Sequence, residues 1–126
     1  SVVYKRDVTY ILGDVTMEKS APYHLLDRLN GIKHIVLGNH DRRQDTKKLF
    51  DYAESICGMI NYKGVFLTHC PIHSDELNYG ITKNIHGHIH DKVVMLNGCP
   101  DPRYFCVSCE QVDYLPKSLK DLGIER

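Results

Sequence analysis

The chain has 126 residues, of which 42% are hydrophobic and 25% are charged. These proportions predict one globular domain over residues 1–126 and exclude a disordered tail, a collagen-like repeat and a small disulfide-rich fold. Sixteen basic side chains balance 16 acidic ones. Because proteins that bind phosphate backbones non-specifically are usually basic, this balance admits nucleic acid only as a substrate.

Features of a membrane or secreted protein are absent from the sequence. No apolar run approaches the roughly 20 residues that cross a bilayer, so we expect no membrane partner. The first residues lack the basic-then-apolar order of a signal peptide. The five cysteines are odd in number and have no framework-like spacing, which indicates a reducing compartment. We therefore expect a cytoplasmic protein.

The predicted elements alternate between strands and helices, which is typical of the α/β class. Apolar and β-branched runs predict strands at residues 7–12, 32–37, 56–62, 65–68, 82–85, 93–97 and 103–109. Helices are predicted over residues 20–29, over residues 44–54, and in a short segment that begins at Ser118. Cys106 and Cys109 have CxxC spacing, but the strand predicted there would point them to opposite faces, which disfavours a zinc site.

Residues able to bind metal follow four of the predicted strands. They are Asp14, Asn39 with His40, His69, and His88 with His90. Each alone has a more ordinary explanation, such as a turn or a hydrogen-bonded histidine. Together they would meet in the crevice beyond the strand carboxyl ends, where α/β sheets bind ligands. Such a mixed oxygen and nitrogen set suits Mn, Fe, Ni, Co or Zn.

Four short motifs carry a more specific signal: Gly13-Asp14, Gly38-Asn39-His40-Asp41, Thr68-His69 and Gly87-His88-Ile89-His90. In this order they resemble the motifs of the calcineurin-like metallophosphoesterases, and in particular the small bacterial and phage members. The resemblance runs from the first predicted strand to His90. It implies a layered sandwich of two mixed β-sheets flanked by helices. It also implies hydrolysis of a phosphodiester or phosphomonoester by metal-bound hydroxide at a dinuclear centre.

The resemblance also implies a role for each matching residue. Asp14 would bridge two divalent metal ions, and His90 would bind the first of them. Asn39, His69 and His88 would complete the site of the second ion.

Two further residues would serve the chemistry itself. His40 would be the general acid, or would stabilise the charge that builds on the leaving oxygen. Asp41 would orient the His40 ring, as carboxylates commonly do for imidazoles. Arg42, Arg43 and His73 could contact the substrate anion, whereas His86 is expected to be a neighbour of the site and not a ligand.

One motif of that family, D-x-H, does not occur before Gly13, since Asp7-Val8-Thr9 ends in threonine. The first metal would then keep only Asp14 and His90. Either the missing strand and motif lie upstream of Ser1, which is not an initiator methionine, or the motif has been lost. In the second case the protein would be a catalytically weak or inactive metal-binding or scaffold domain. Neither the particular substrate nor the oligomeric state can be inferred from the sequence.

Overall fold

The computed structural model describes residues 2–15 and 23–124. Its strands are β1 (Val8–Leu12), β2 (Ile32–Val36), β3 (Ser55–Cys57), β4 (Ile60–Tyr62), β5 (Val65–Leu67), β6 (Lys83–His86), β7 (Met95–Leu96), β8 (Cys99–Pro100) and β9 (Tyr104–Cys106). The helical segments are α1 (Thr46–Leu49) and 3-10 turns at Tyr23–Arg28, Arg43–Asp45, Ser74–Glu76 and Cys109–Gln111. Within the described ranges, no helix has both the length and the apolar character needed to cross a membrane.

The first sheet has the order β1-β2-β3, and all three strands are parallel. Because side chains alternate along a strand, its two faces bury different residues. Ile11 and Ile35 pack on one face with Tyr23, Leu26 and Leu49 from the helical segments.

The second sheet has the order β4-β5-β6-β9, in which only the β4–β5 pair is antiparallel. Its inner face contributes Val65, Leu67 and Ile85 to a second core. Tyr10 and Leu12, from the other face of β1, pack against that core. The two sheets therefore pack face to face, with helical turns on the outside of the first sheet. This arrangement confirms the predicted α/β class.

The prediction of one strand over residues 56–62 is wrong. The segment splits into β3, which ends the first sheet, and β4, which begins the second. Gly58 and Met59 connect them and are exposed. Hydrophobic alternation indicates only that a segment is half-buried, so it cannot show that neighbouring segments belong to two different sheets.

The predicted helices are also shorter than expected. Residues 44–54 contain only a 3-10 turn followed by α1, and the start of the helix predicted over residues 20–29 lies outside the described residues. Ser118 does act as a cap, since its Oγ accepts a hydrogen bond from the Asp121 amide at 3.0 Å. A turn follows it instead of a helix. Packing of these segments against a sheet decides their length more than helix propensity does.

Candidate metal centre

The four predicted groups follow parallel strands whose carboxyl ends lie at one edge of the two packed sheets. Asp14 comes two residues after β1, and Asn39 comes three after β2. His69 and His88 come two residues after β5 and β6. The structure brings these four side chains into direct contact, as the alternation of strands and polar turns predicts.

His69 is the centre of this cluster, and its residue is only 7% exposed. Its Nδ1 lies 2.7 Å from the backbone oxygen of Leu12. A carbonyl oxygen can only accept, so Nδ1 carries a proton and donates it. In the neutral ring, Nε2 therefore presents a lone pair.

Three electronegative atoms crowd around that lone pair. Asn39 Oδ1 lies 2.9 Å from His69 Nε2, His88 Nδ1 lies 3.1 Å away, and Asp14 Oδ2 lies 3.2 Å away. A single proton on Nε2 could form a hydrogen bond with only some of these three atoms. A cation bound among the four groups would interact favourably with all of them, because each is an established metal ligand. The donor set therefore fits a divalent metal ion.

Two glycines allow the turns after β1 and β2 to approach this closely. A Cβ on Gly13 would lie 2.5 Å from His69 Nδ1, and the residue also has a φ of +88°. A Cβ on Gly38 would overlap Asp14 Oδ1 and would lie 2.5 Å from the Asp14 amide nitrogen. A side chain at Gly13 would displace His69 or the turn at Gly38, and one at Gly38 would displace Asp14.

Left-handed backbone also occurs at three of the predicted ligands, as it does at five other described non-glycine residues. Asp14, His88 and His90 have φ angles of 49°, 69° and 54°. Such left-handed conformations are uncommon for residues other than glycine and persist where the surrounding contacts enforce them. Here they aim the side chains that follow β1 and β6 towards the crevice.

The structure places Asp41 differently from its expected role beside His40. Its carboxylate accepts hydrogen bonds of 2.8 Å from the backbone amides of Asp14, Val15 and Gly38. Asp41 and His40 both belong to the described part of the chain, and no hydrogen bond joins the Asp41 carboxylate to the His40 ring. Asp41 therefore ties the turn after β1 to the turn after β2.

His40 stands at the edge of the cluster with its side chain exposed. Its backbone amide donates to Asp14 Oδ1 at 2.8 Å, which fixes the position of the residue relative to the predicted metal ligands. The imidazole is accessible to a substrate that enters the crevice. Its role as general acid stays a prediction.

His90 lies apart from the cluster around His69. Its side chain is 73% exposed, and its Nδ1 lies 3.1 Å from Glu110 Oε1. The hydrogen bond from His90 holds the pKa of the Glu110 carboxyl below its usual value. Glu110 was not predicted from the sequence, because it belongs to no motif and only the fold brings it next to His90.

Cys70 is a second residue that the sequence reasoning missed. One potential ligand atom from each of His69, Cys70 and His88 lies within 4.8 Å of the other two. Burial, and then the negative charge of Asp14, raise the pKa of the Cys70 thiol. Its position directly after a predicted ligand was the available signal.

The remaining candidates have local partners. Arg42 Nε forms a 2.6 Å ion pair with Asp45, and His73 caps its own turn by accepting from the Asp75 amide at 3.1 Å. His86 is fully buried, and its side chain lies on the face of β6 opposite to Ile85. The idea that Cys106 and Cys109 share one strand is wrong, because β9 ends at Cys106 and a 3-10 turn begins at Cys109.

The fold and the cluster define an α/β protein with a potential metal site at its strand ends. No protein-family model matches the chain. The uncharacterized protein MJ1445 of Methanocaldococcus jannaschii is 32% identical over an alignment of 126 positions. The match covers 94% of this chain and 65% of that protein. The chain thus spans slightly less than two thirds of the length of this relative. The crystal structure of AQ665 from Aquifex aeolicus, a protein of unknown function, is similar with a TM-score of 0.68 and 27% identity. That likeness covers 97% of this chain and 77% of the Aquifex chain.

Proposed function

We propose that this protein is a metal-dependent phosphoester hydrolase of the calcineurin-like metallophosphoesterase type. The observation that carries the proposal is the convergence of Asn39, His88 and Asp14 on the Nε2 atom of His69, at 2.9 to 3.2 Å. These residues come from four separate strand ends. They are the same residues for which the motif resemblance implies metal binding.

The layered arrangement of the chain supports the same proposal. Two sheets pack face to face through Tyr10 and Leu12 on one side and Leu67 and Ile85 on the other. The finer assignment, a metallophosphoesterase sandwich with one more strand that carries the D-x-H motif, belongs to this proposal.

The residues divide between two proposed ion positions. Asn39, His69 and His88 would hold one ion, and His90 would hold the other, with Glu110 beside it. Asp14 would contribute to both positions. When bound, two divalent ions supply Lewis acidity towards the phosphoryl oxygens and a nucleophile from water at neutral pH. A local positive charge of this kind would attract an anionic phosphoester even though the chain has no net charge.

The protein's own contribution is to position groups and to move a proton. Asp41 fixes the turns that carry Asp14 and Asn39 through its three backbone hydrogen bonds. His40 donates a proton to the leaving oxygen, since imidazole exchanges protons readily near neutral pH and its ring is exposed at the crevice. The proposed substrate is a phosphoester, and nucleic acid is a possible partner only in that role. The proposed location is the cytoplasm.

The test is hydrolysis of bis-p-nitrophenyl phosphate and p-nitrophenyl phosphate with added Mn²⁺, before and after chelation. We expect activity that a chelator abolishes and that His40→Ala lowers by about 100-fold or more. His24→Ala is the matched control, because His24 is an exposed histidine outside the predicted site. Wild-type rates in His40→Ala would overturn the role of His40.

A second candidate function is a metal-binding scaffold domain without strong activity. It is favoured by the separation of His90 from the other predicted ligands, since His90 pairs with Glu110. Metal binding without hydrolysis of either substrate would support this alternative and refute the hydrolase.

A further inference from the structure

The loop after β5 presents a thiol next to the two histidines of the cluster. We infer that Cys70 is a thiolate ligand of the metal at His69 and His88, and that this centre therefore selects Zn²⁺ or Co²⁺ over Mn²⁺. The inference rests on the proposed function only in placing a cation at His69. It requires no phosphoester chemistry.

The spacing of the ligand atoms fits a small tetrahedral ion. His69 Nε2 and His88 Nδ1 are 3.1 Å apart. Two nitrogens bound to zinc at about 2.0–2.1 Å are separated by about 3.3 Å in a tetrahedral site. One potential ligand atom from each of His69, Cys70 and His88 lies within 4.8 Å of the other two, and the Cys70 side chain is exposed and can rotate to close the remaining gap.

Buried contacts hold the Cys70 backbone in this place. Thr68 Oγ1 donates to the Cys70 carbonyl oxygen at 2.6 Å, and Thr68 is only 5% exposed. Asn84, which is fully buried, donates to Thr68 Oγ1 at 2.9 Å and accepts from the Ile72 amide at 3.0 Å. Both ends of the loop that carries Cys70 are therefore anchored to β6, so the thiol stays beside the histidines.

The chemistry of the three groups decides which metal they prefer. Thiolate is a soft ligand and imidazole a borderline one, and this combination favours Zn²⁺ and Co²⁺, whereas Mn²⁺ prefers oxygen ligands. Binding forms a metal–sulfur bond and releases the thiol proton to solvent. Asp14 and Asn39 also lie beside His69 Nε2 and would supply the remaining ligands, and catalytic zinc sites can expand to five ligands.

Cobalt substitution gives a direct test, because Co²⁺ bound to thiolate shows a near-ultraviolet charge-transfer absorption band. We expect wild-type protein titrated with Co²⁺ to show this band. We expect Cys70→Ser to lose it and Cys99→Ser to keep it, since Cys99 is an exposed cysteine outside the cluster. Co²⁺ binding without the band would overturn the inference and leave the proposed hydrolase intact.

Alkylation provides a second readout on the unmodified chain. Zn²⁺ should protect Cys70 from iodoacetamide while Cys99 stays reactive, as peptide mass spectrometry would show. In direct titrations, Cys70→Ser should bind Zn²⁺ about 100-fold more weakly and bind Mn²⁺ with little change. Equal alkylation of Cys70 with and without Zn²⁺ would refute thiolate binding. If the charge-transfer band and the protection of Cys70 are observed but neither substrate is hydrolysed, the proposed function is refuted and this inference stands.

Discussion

The Asp41 carboxylate gives the sharpest test of how the metal ligands are held, because a change of one atom removes part of its function. Asp41→Asn replaces a carboxylate oxygen by an amide NH2 group, which donates hydrogen bonds and cannot accept one. In the structure, Oδ2 accepts from the amides of Asp14 and Gly38, and Oδ1 accepts from the amide of Val15. All three bonds are 2.8 Å long.

The size of the effect follows from these contacts. The least damaging orientation of the new asparagine keeps the bonds from Asp14 and Gly38 and loses the bond from Val15. A hydrogen bond to a charged group contributes about 1.5–3 kcal/mol, and one between neutral groups about 0.5–1.5 kcal/mol. One bond is lost and two become neutral, so the free energy of unfolding should fall by about 3.5–6 kcal/mol.

Urea unfolding followed by circular dichroism, with a chelator present, measures this change without any contribution from bound metal. Asp51→Asn is the matched control, because Asp51 is exposed and the structure records no hydrogen bond from its side chain within the described ranges. The control should stay within about 0.5 kcal/mol of wild type. If Asp41→Asn loses no more stability than the control, then its three backbone hydrogen bonds do not hold the turns together. A loss of activity alone would point to the expected role beside His40.

Three further results are expected. Gly38→Ala should lower both the stability and the affinity for metal, by about 1–3 kcal/mol in unfolding free energy, because its Cβ would overlap Asp14; Gly58→Ala, whose Cβ would meet nothing within 4 Å, should change neither. A metal ion at 100 times its dissociation constant should stabilise the protein by about 2.7 kcal/mol in thermal unfolding, and no shift would refute a formed site. Hydrogen bonds from Arg103 hold the pKa of the Asp101 carboxyl below its usual value of about 4. The ionised carboxylate therefore stabilises the fold fully above that pH, and this stabilisation is lost as the pH falls through the lower pKa of the folded state. Asp101→Asn should therefore flatten the acid limb of the stability curve, and an unchanged limb would contradict this pKa shift.

The local elements were largely predictable where one face of a strand is buried. The run at residues 7–12 contains β1, and the run at residues 32–37 contains β2. Their carboxyl ends carry glycine followed by ligand residues, so the convergence of Asp14 and Asn39 could be inferred from the sequence. The division of residues 56–62 between two sheets could not be inferred, because no local pattern shows where the chain leaves one sheet and enters the other.

The site shows the same division between local and tertiary information. Asp14, Asn39, His69 and His88 were predicted as ligands, and the structure brings them together within hydrogen-bonding distance. Cys70 became a candidate only when its distance to two imidazoles was known. No local pattern marks a thiol as a ligand, since free cysteines also occur as ordinary apolar residues.

The sequence by itself determined the α/β class, the strand ends at which ligands accumulate, and the chemical type of those ligands. These properties depend on residue type and short-range periodicity. Only the tertiary structure decided that Asp41 binds the backbone amides of Asp14 and Val15, that His90 faces Glu110, and that Cys70 lies close to His88. These contacts depend on how two sheets pack and on where their turns meet. They join residues whose relative positions no local pattern determines, because long-range packing sets the distances between side chains.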